Sequence, residues 1–158
     1  MTTSEVRFAT LVFERAVPAT IERVFEAFAD AKLRVAWSAP TDTATIIYDQ
    51  EDFRVGGVDR FRCGSKDNPN IHGTTTYIEI VPRKRIVQME TIDMQGRRLA
   101  ASLSTLELTP SGKHTSLKNT VQVTSFIGED MIKGHEQGHT GSLNMLVQFF
   151  ERRAKTSQ

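Results

Sequence analysis

The sequence predicts an α+β fold in which a curved antiparallel sheet of six or seven strands wraps around one long C-terminal helix, with one or two short helices after the first strand. Apolar and polar residues alternate with a period of two through the middle of the chain, which is typical of strands that bury one face. Short turns separate these strands and indicate antiparallel hairpins, because parallel strands need long crossovers. A twisted sheet must cover its apolar face, and the final helix is the only element long enough to do so.

The first elements precede this run of hairpins. Residues 6–17 alternate in character and predict a strand that ends at Pro18. Thr20 is the expected N-cap of a helix that runs to about residue 30, and a second short helix or turn is expected over 32–37. The apolar residues of the first helix recur at helical spacing and form one face: Ile21, Val24, Phe25 and Phe28.

The remaining elements follow from the same patterns. Strands are predicted over 43–50, 54–64, 72–81, 85–94, 98–108 and 115–126. Turn-forming residues separate them, as at Gln95-Gly96. The last helix is expected over 128–153, because acidic residues begin this segment and Arg152-Arg153 end it, in agreement with the helix dipole.

Composition and charge narrow the class of function. With 20 Lys and Arg against 19 Asp and Glu, the net charge of +1 argues against a nucleic-acid-binding protein, whose affinity depends on many phosphate contacts. Cys63 is the only cysteine, so no internal disulfide can form and a reducing compartment is favoured. No apolar run is long enough to cross a membrane, and the N-terminus lacks the pattern of a signal peptide. Together these features predict a cytoplasmic protein.

The last helix contains His135, Glu136 and His139 in the spacing H-E-x-x-H, which on a helix is typical of zinc metalloproteases. Helical spacing places both imidazoles on the face toward the sheet and turns Glu136 toward the edge or the solvent. A catalytic zinc site needs a third protein ligand, and the other two histidines, His72 and His114, are expected at strand ends or turns. We therefore assign no metal site and interpret the pair as cavity-lining side chains, although binding of a metal ion by the pair stays open.

Four blocks of the sequence occur in an order that is typical of one family. They are FERAVPATIERVFEAFADAKLRVAWSAP, DFRVGGVDRFRCG, HGTTTYIEIVPRKRIVQMET and a Gly-x-x-x-Leu-x-x-Leu pattern in the last helix. With these blocks the chain resembles the START-like (SRPBCC) helix-grip superfamily, specifically its Hsp90-ATPase-activator-homologue (AHSA1-like) branch. The resemblance implies one START-like domain over residues 1–158, with a ligand cavity between the sheet and the last helix.

Two positions depart from the pattern of that family. Trp37-Ser38-Ala39-Pro40 stands where the family usually has a double Trp before Gly-Pro, and Gly138-His139 stands where it usually has Gly-Trp. Both departures lie near the expected cavity. The shape of the pocket therefore cannot be taken from relatives.

Inward-facing positions supply the candidate ligand-binding residues. They are Trp37, Phe61, Met89, Ser104, Asn119, His135, His139 and Ser142. Asn119 is the polar exception on an otherwise apolar strand face, and a buried amide needs a partner. No catalytic residue and no cofactor is assigned.

Three functions are compatible with such a cavity. The first, which we favour, is binding of a small hydrophobic molecule such as a lipid, a polyketide or an aromatic metabolite. The second is a cyclase- or aromatase-like enzyme in which His135 or His139 acts as general acid or base, because imidazole titrates near neutrality. The third is an interaction protein similar to the Hsp90 co-chaperones of the branch. The expected partners are the ligand and, through exposed sheet edges, a second copy of the chain, but neither nucleic acid nor membrane.

Overall fold

The computed structural model describes residues 5–156 of the chain. Its elements in order are β1 (Arg7–Val17), α1 (Ile21–Ala29), α2 (Ala31–Trp37), β2 (Ala44–Gln50), β3 (Val58–Ser65), β4 (Asn68–Val81), β5 (Arg85–Met94), β6 (Arg97–Ser111), β7 (His114–Ser125) and α3 (Asp130–Thr156). None of the helices within the described residues has an apolar stretch that could cross a membrane.

The strands form one seven-stranded antiparallel sheet in the order β1-β7-β6-β5-β4-β3-β2. Each strand from β2 to β7 pairs with the next one along the chain, and β1 returns to pair with β7. The long helix α3 packs against β1 and β7, and α2 lies against both α3 and β2. The predicted α+β fold, a curved antiparallel sheet around a long C-terminal helix, is confirmed.

Three predicted strand boundaries are wrong. β3 begins at Val58 rather than at residue 54, because Gly56 has a φ of +82° and turns the chain before the strand. β4 begins at Asn68 rather than at residue 72, since an irregularity in its pairing with β3 accommodates Pro69 within the strand. β6 continues to Ser111 rather than to residue 108, because its pairing with β7 extends to the hairpin turn.

The two short helices meet at a sharp corner. Thr20 precedes α1 as expected, but its side chain makes no capping hydrogen bond. Asp30 caps α2, where its Oδ1 accepts a hydrogen bond from the backbone N–H of Lys32 at 2.9 Å. Because Asp30 has extended backbone, α2 changes direction and brings Arg34 and Trp37 into the interior, where both are buried.

The apolar core lies between α1, α3 and the part of the sheet formed by β1, β7 and β6. Val24 of α1, Leu117 and Val121 of β7, and Leu146 of α3 are fully buried. Complete burial of one such side chain contributes about 1.5–3 kcal/mol. This core fixes α3 over one side of the sheet, while the side toward β2 to β5 is packed less completely and contains the cavity described below.

Two glycines of α3 are expected to respond oppositely to replacement by alanine. A Cβ at Gly141 would lie 2.7 Å from both the Cβ and the carbonyl oxygen of Pro40, whereas a Cβ at Gly138 would meet no atom within 4 Å. We expect Gly141→Ala to lower the free energy of unfolding by about 1–3 kcal/mol through overpacking. Gly138→Ala should raise it by up to about 1 kcal/mol, because alanine favours the helix. Urea unfolding measures both changes, and a gain in stability for Gly141→Ala would contradict the close contact.

Candidate functional site

A cavity of about 190 Å³ lies between the sheet, α2 and α3. Large apolar side chains form much of its wall: Phe28, Trp37, Phe53, Phe61, Ile86 and Leu106. Polar side chains also face it: Arg34, Asp59, Glu90, Asn119, His139 and Ser142. An apolar wall with a few polar groups is the usual composition of a site for a small molecule.

Most of the predicted ligand-binding residues face this cavity: Trp37, Phe61, Ser104, Asn119, His139 and Ser142. The Ser104 hydroxyl donates to Oδ1 of Asn119 at 2.8 Å, so the buried amide has a partner within the sheet. Trp37 donates from Nε1 to the carbonyl of Ala27 at 3.0 Å. These hydrogen bonds hold the side chains of the wall in fixed orientations.

Met89 lies on the opposite face of the sheet, and its predicted position in the cavity is wrong. Its side chain is 49% exposed. The inward residues of β5 are instead Ile86, Gln88 and Glu90, because Ile86 pairs with Leu106 and both are buried. The prediction failed because Val87 and Met89 are apolar in the middle of β5, where the inward residues are Gln88 and Glu90.

His135 is buried beside the cavity and does not form part of its wall. Its Nδ1 lies 2.8 Å from the carbonyl oxygen of Met131, one turn earlier in α3. The ring centroids of His135 and His139 are 6.0 Å apart, and His139 stacks against Phe13 at 5.3 Å. Of the two histidines, His139 is therefore the one that a ligand in the cavity would contact.

The H-E-x-x-H spacing separates its carboxylate from its imidazoles. Glu136 is exposed, whereas His135 is buried and His139 faces the cavity. Within residues 5–156, no group of three or more His, Cys, Asp or Glu side chains is arranged to hold a metal ion. The orientation of the three side chains agrees with the helical spacing of the motif.

Burial keeps both imidazoles neutral near pH 7. It lowers the pKa of His139 to about 4, and the neighbouring His135 acts in the same direction. Burial also lowers the pKa of His135, although the hydrogen bond to the Met131 carbonyl opposes this effect. Neither ring carries the proton that a general acid would need at neutral pH.

A buried ion pair lies at one side of the cavity and was not predicted from the sequence. Arg34 of α2 donates to Oδ2 of Asp59 in β3 and to the hydroxyl of Tyr77 in β4, both at 3.1 Å. Tyr77 in turn donates to Oδ2 of Asp59 at 2.5 Å, and the backbone N–H of Asp52 donates to Oδ1 at 2.8 Å. The guanidinium carbon of Arg34 also lies 4.7 Å from the ring centroid of Tyr48 in β2. The cluster thus joins α2 to three strands.

Both tyrosines of this cluster stay protonated. Burial raises the pKa of Tyr48 to about 12, although the nearby Arg34 opposes the shift. Burial likewise raises the pKa of Tyr77. The positive charge of Arg34 again opposes this shift, whereas the hydrogen bond to Asp59 adds to it. The aromatic groups near the ion pair are therefore neutral phenols.

Two buried polar atoms in the cavity wall have no hydrogen-bond partner among the described residues: Nε of Arg34 and Oγ of Ser38. Buried polar groups in folded proteins are almost always paired with protein or water. These atoms are therefore positions where a water or a polar group of a ligand is expected. Ser38 also lies in the segment 37–40, one of the two places where the sequence departs from the family pattern described above.

Glu90 is a second charged group of the cavity that was not predicted from the sequence. It lies between Thr75 and Ser102 of the adjacent strands, and the Thr75 hydroxyl donates to its Oε2 at 3.4 Å. Burial raises the pKa of Glu90 to about 7, although the hydrogen bond from Thr75 opposes the shift. Near neutral pH this carboxyl is divided between its protonated and ionised forms.

A seven-stranded antiparallel sheet that curves around a long C-terminal helix, with a cavity between them, defines a START-like protein of the helix-grip type. Residues 18–151 match the family described as Activator of Hsp90 ATPase homolog 1-like protein, and the chain belongs to that family. The resemblance seen in the sequence is thereby confirmed. None of the curated proteins compared with the chain matches it.

Solved structures of several bacterial proteins share the fold. Mll3558 from Rhizobium loti is 37% identical, with a TM-score of 0.79 over 91% of this chain and 98% of its own. A protein from Rhizobium leguminosarum is 30% identical, with a TM-score of 0.82 over 94% of this chain and 97% of its own. DynU16, a protein of the dynemicin biosynthetic locus, is 16% identical with a TM-score of 0.66, over 90% of this chain and 47% of its own, and shows the fold alone.

Proposed function

We propose that the protein binds a small, mostly apolar molecule of one or two rings in the cavity between sheet and helix. The observation that carries the proposal is the cavity itself, with aromatic side chains over much of its wall and a few polar groups among them. Such a wall excludes water from an apolar ligand and orients its polar part. The buried unpaired atoms of Arg34 and Ser38 support the proposal, because they lack the partners that a ligand or water can supply.

The size of the cavity narrows the class of ligand. Its volume of about 190 Å³ is slightly above the ~150 Å³ of an engineered apolar cavity that binds benzene. Sites for drug-sized ligands are larger, roughly 300–1,000 Å³. Among the three classes expected from the sequence, an aromatic metabolite therefore fits better than a lipid chain or a polyketide of several rings.

Filling the cavity should abolish binding without changing the outer surface. Leu106 and Leu103 lie in the same strand, but Leu106 lines the cavity and Leu103 is exposed on the opposite face. We expect indole, as a probe, to raise the melting temperature of the wild type and of Leu103→Trp, since a ligand at about 100 times its Kd stabilises the folded state by about 2.7 kcal/mol. Leu106→Trp should lose this response, because its own indole group occupies the cavity.

Two results would count against the binding proposal. One is an equal thermal response to indole in Leu106→Trp and in the wild type. The other is a wild type that responds to no one-ring or two-ring compound and carries no bound small molecule in native mass spectrometry. Circular dichroism of both tryptophan variants shows whether the fold has been kept.

A second candidate function is catalysis of a proton transfer in the same cavity. Glu90 favours it, because burial raises the pKa of this carboxyl to about 7, where a general acid or base is most effective. The histidines are less suitable, since burial lowers the pKa of His139 to about 4. Loss of turnover in Glu90→Gln, with indole binding retained, would distinguish an enzyme from a binding protein once native mass spectrometry has identified the bound molecule.

A further inference from the structure

The inner face of the sheet carries a carboxyl group, that of Glu90, which no cation among the described residues balances. Strand register places Ser102, Glu90, Thr75 and Asp59 in one row across four neighbouring strands. Arg34 pairs with Asp59 at 3.1 Å, so these two charges neutralise each other. Glu90 has no ion-pair partner within the described part of the chain.

The hydrogen bonding of Glu90 is also incomplete. Its only hydrogen bond within residues 5–156 is the long one from the Thr75 hydroxyl, at 3.4 Å. An ionised carboxyl has about four positions at which it can accept hydrogen bonds. A carboxylate in a largely apolar cavity with so few partners from the protein is unfavourable, and the partial burial of Glu90 raises its pKa instead. A ligand that brings hydrogen-bond donors and a positive charge would relieve this deficit.

Aromatic rings lie beside this carboxyl. The tip of the Phe61 ring covers Gly73, where a Cβ would come within 2.0 Å of Cζ. Gly73 pairs with Ile92, which follows Glu90 by two positions along the same face of β5. The ring of Tyr48 lies 5.7 Å from that of Phe61. Aromatic faces attract cations by about 0.5–2 kcal/mol, more when water is excluded.

We propose that the ligand is a small aromatic amine, whose ammonium group pairs with Glu90 while its ring occupies the apolar part of the cavity. This inference rests on the proposed binding function and specifies the charge of the ligand. An ammonium group supplies three donors to the carboxylate oxygens. A carboxylic acid is disfavoured, because its negative charge would lie near Glu90 while the positive charge of Arg34 is already balanced by Asp59.

Three probes of nearly equal size test the proposal: 2-phenylethylamine, 2-phenylethanol and phenylacetate. Titration calorimetry at pH 8, where Glu90 is mostly ionised, should show that the wild type binds the amine at least about tenfold more tightly than the alcohol, as expected for a desolvated charge pair. Phenylacetate should bind most weakly. Glu90→Gln should remove the preference for the amine and leave the affinity for the alcohol within about twofold.

The matched control is Glu107→Gln, since Glu107 is an exposed residue of β6 and its replacement should leave all three affinities unchanged. The proposal is overturned if the wild type binds the alcohol as tightly as the amine, or if Glu90→Gln keeps the preference. It is also overturned if indole binds in the cavity and none of the three probes does, although the binding function would then stand. Failure of the binding function itself is recognised separately, by an unchanged response of Leu106→Trp to indole.

Discussion

Asp59→Ala should lower the free energy of unfolding by about 3–5 kcal/mol, as expected when one partner of a buried ion pair is removed. The carboxylate of Asp59 accepts hydrogen bonds from Arg34, Tyr77 and the backbone of Asp52. Its loss leaves Arg34, whose side chain is only 7% exposed, without a counter-charge. Guanidinium chloride denaturation, with fluorescence of Trp37 as the signal, measures the change.

A matched surface pair provides the control. Arg62 and Asp49 form an ion pair with two hydrogen bonds at 2.8 and 2.9 Å, but both side chains are substantially exposed. Asp49→Ala should therefore shift the denaturation midpoint far less than Asp59→Ala, since solvent screens exposed pairs. Combining Asp59→Leu with Arg34→Met should recover much of the stability, because apolar side chains of similar volume often replace buried ion pairs without loss. Equal effects of the two single alanine variants would contradict the buried position of Asp59.

Glu90→Gln should stabilise the protein at pH 8 by up to about 3 kcal/mol, and by less where water in the cavity solvates the carboxylate. In the folded state the pKa of Glu90 is raised from 4.5 to about 7, so the native protein holds this proton more tightly than the unfolded chain. The resulting stability is fully present below pH 4.5 and is lost as the pH rises through 7. Glutamine carries no charge and avoids the loss. The difference between the two proteins should therefore vanish toward pH 4.5.

His139 produces the opposite pH dependence. Its pKa is lowered from 6.5 to about 4 in the folded state, so the stability linked to its neutral form is present above pH 6.5 and is lost as the pH falls toward 4. Between pH 4.5 and 6.5 the effects of Glu90 and His139 on the free energy of unfolding nearly cancel in the wild type. In Glu90→Gln the free energy of unfolding should fall as the pH decreases from 6.5 to 4, because the opposing effect of Glu90 is gone. In His139→Gln it should fall as the pH rises from 4.5 to 7, because the opposing effect of His139 is gone. Urea unfolding over this pH range measures both changes, and parallel curves for the wild type and Glu90→Gln would contradict the raised pKa of Glu90.

The sequence was sufficient to predict the order of the elements, because strong alternation and short turns left little choice of topology. Asn119 and Ser104 were placed correctly on the cavity side, since their neighbours on the same strand faces are apolar. Met89 was placed on the wrong side for the same physical reason. In the middle of β5 the outward residues Val87 and Met89 are apolar, while the inward residues are Gln88 and Glu90.

The charged part of the site could not be predicted from local patterns. Arg34 lies in a short helix that has no pattern to mark its arginine as buried, and its partner Asp59 lies in a different element. Only the tertiary arrangement of α2 over β3 and β4 brings the two together. A buried charge violates the pattern by which burial is predicted, so functional polar groups are where such predictions fail.

The Phe61 ring over Gly73 links the size of the cavity to a residue that does not line it. Any larger side chain at position 73 would displace the Phe61 ring toward the cavity and reduce the volume of the cavity. Related proteins can therefore come to bind ligands of a different size through a substitution at position 73, before any residue that lines the cavity changes. A comparison of wall residues alone would miss it.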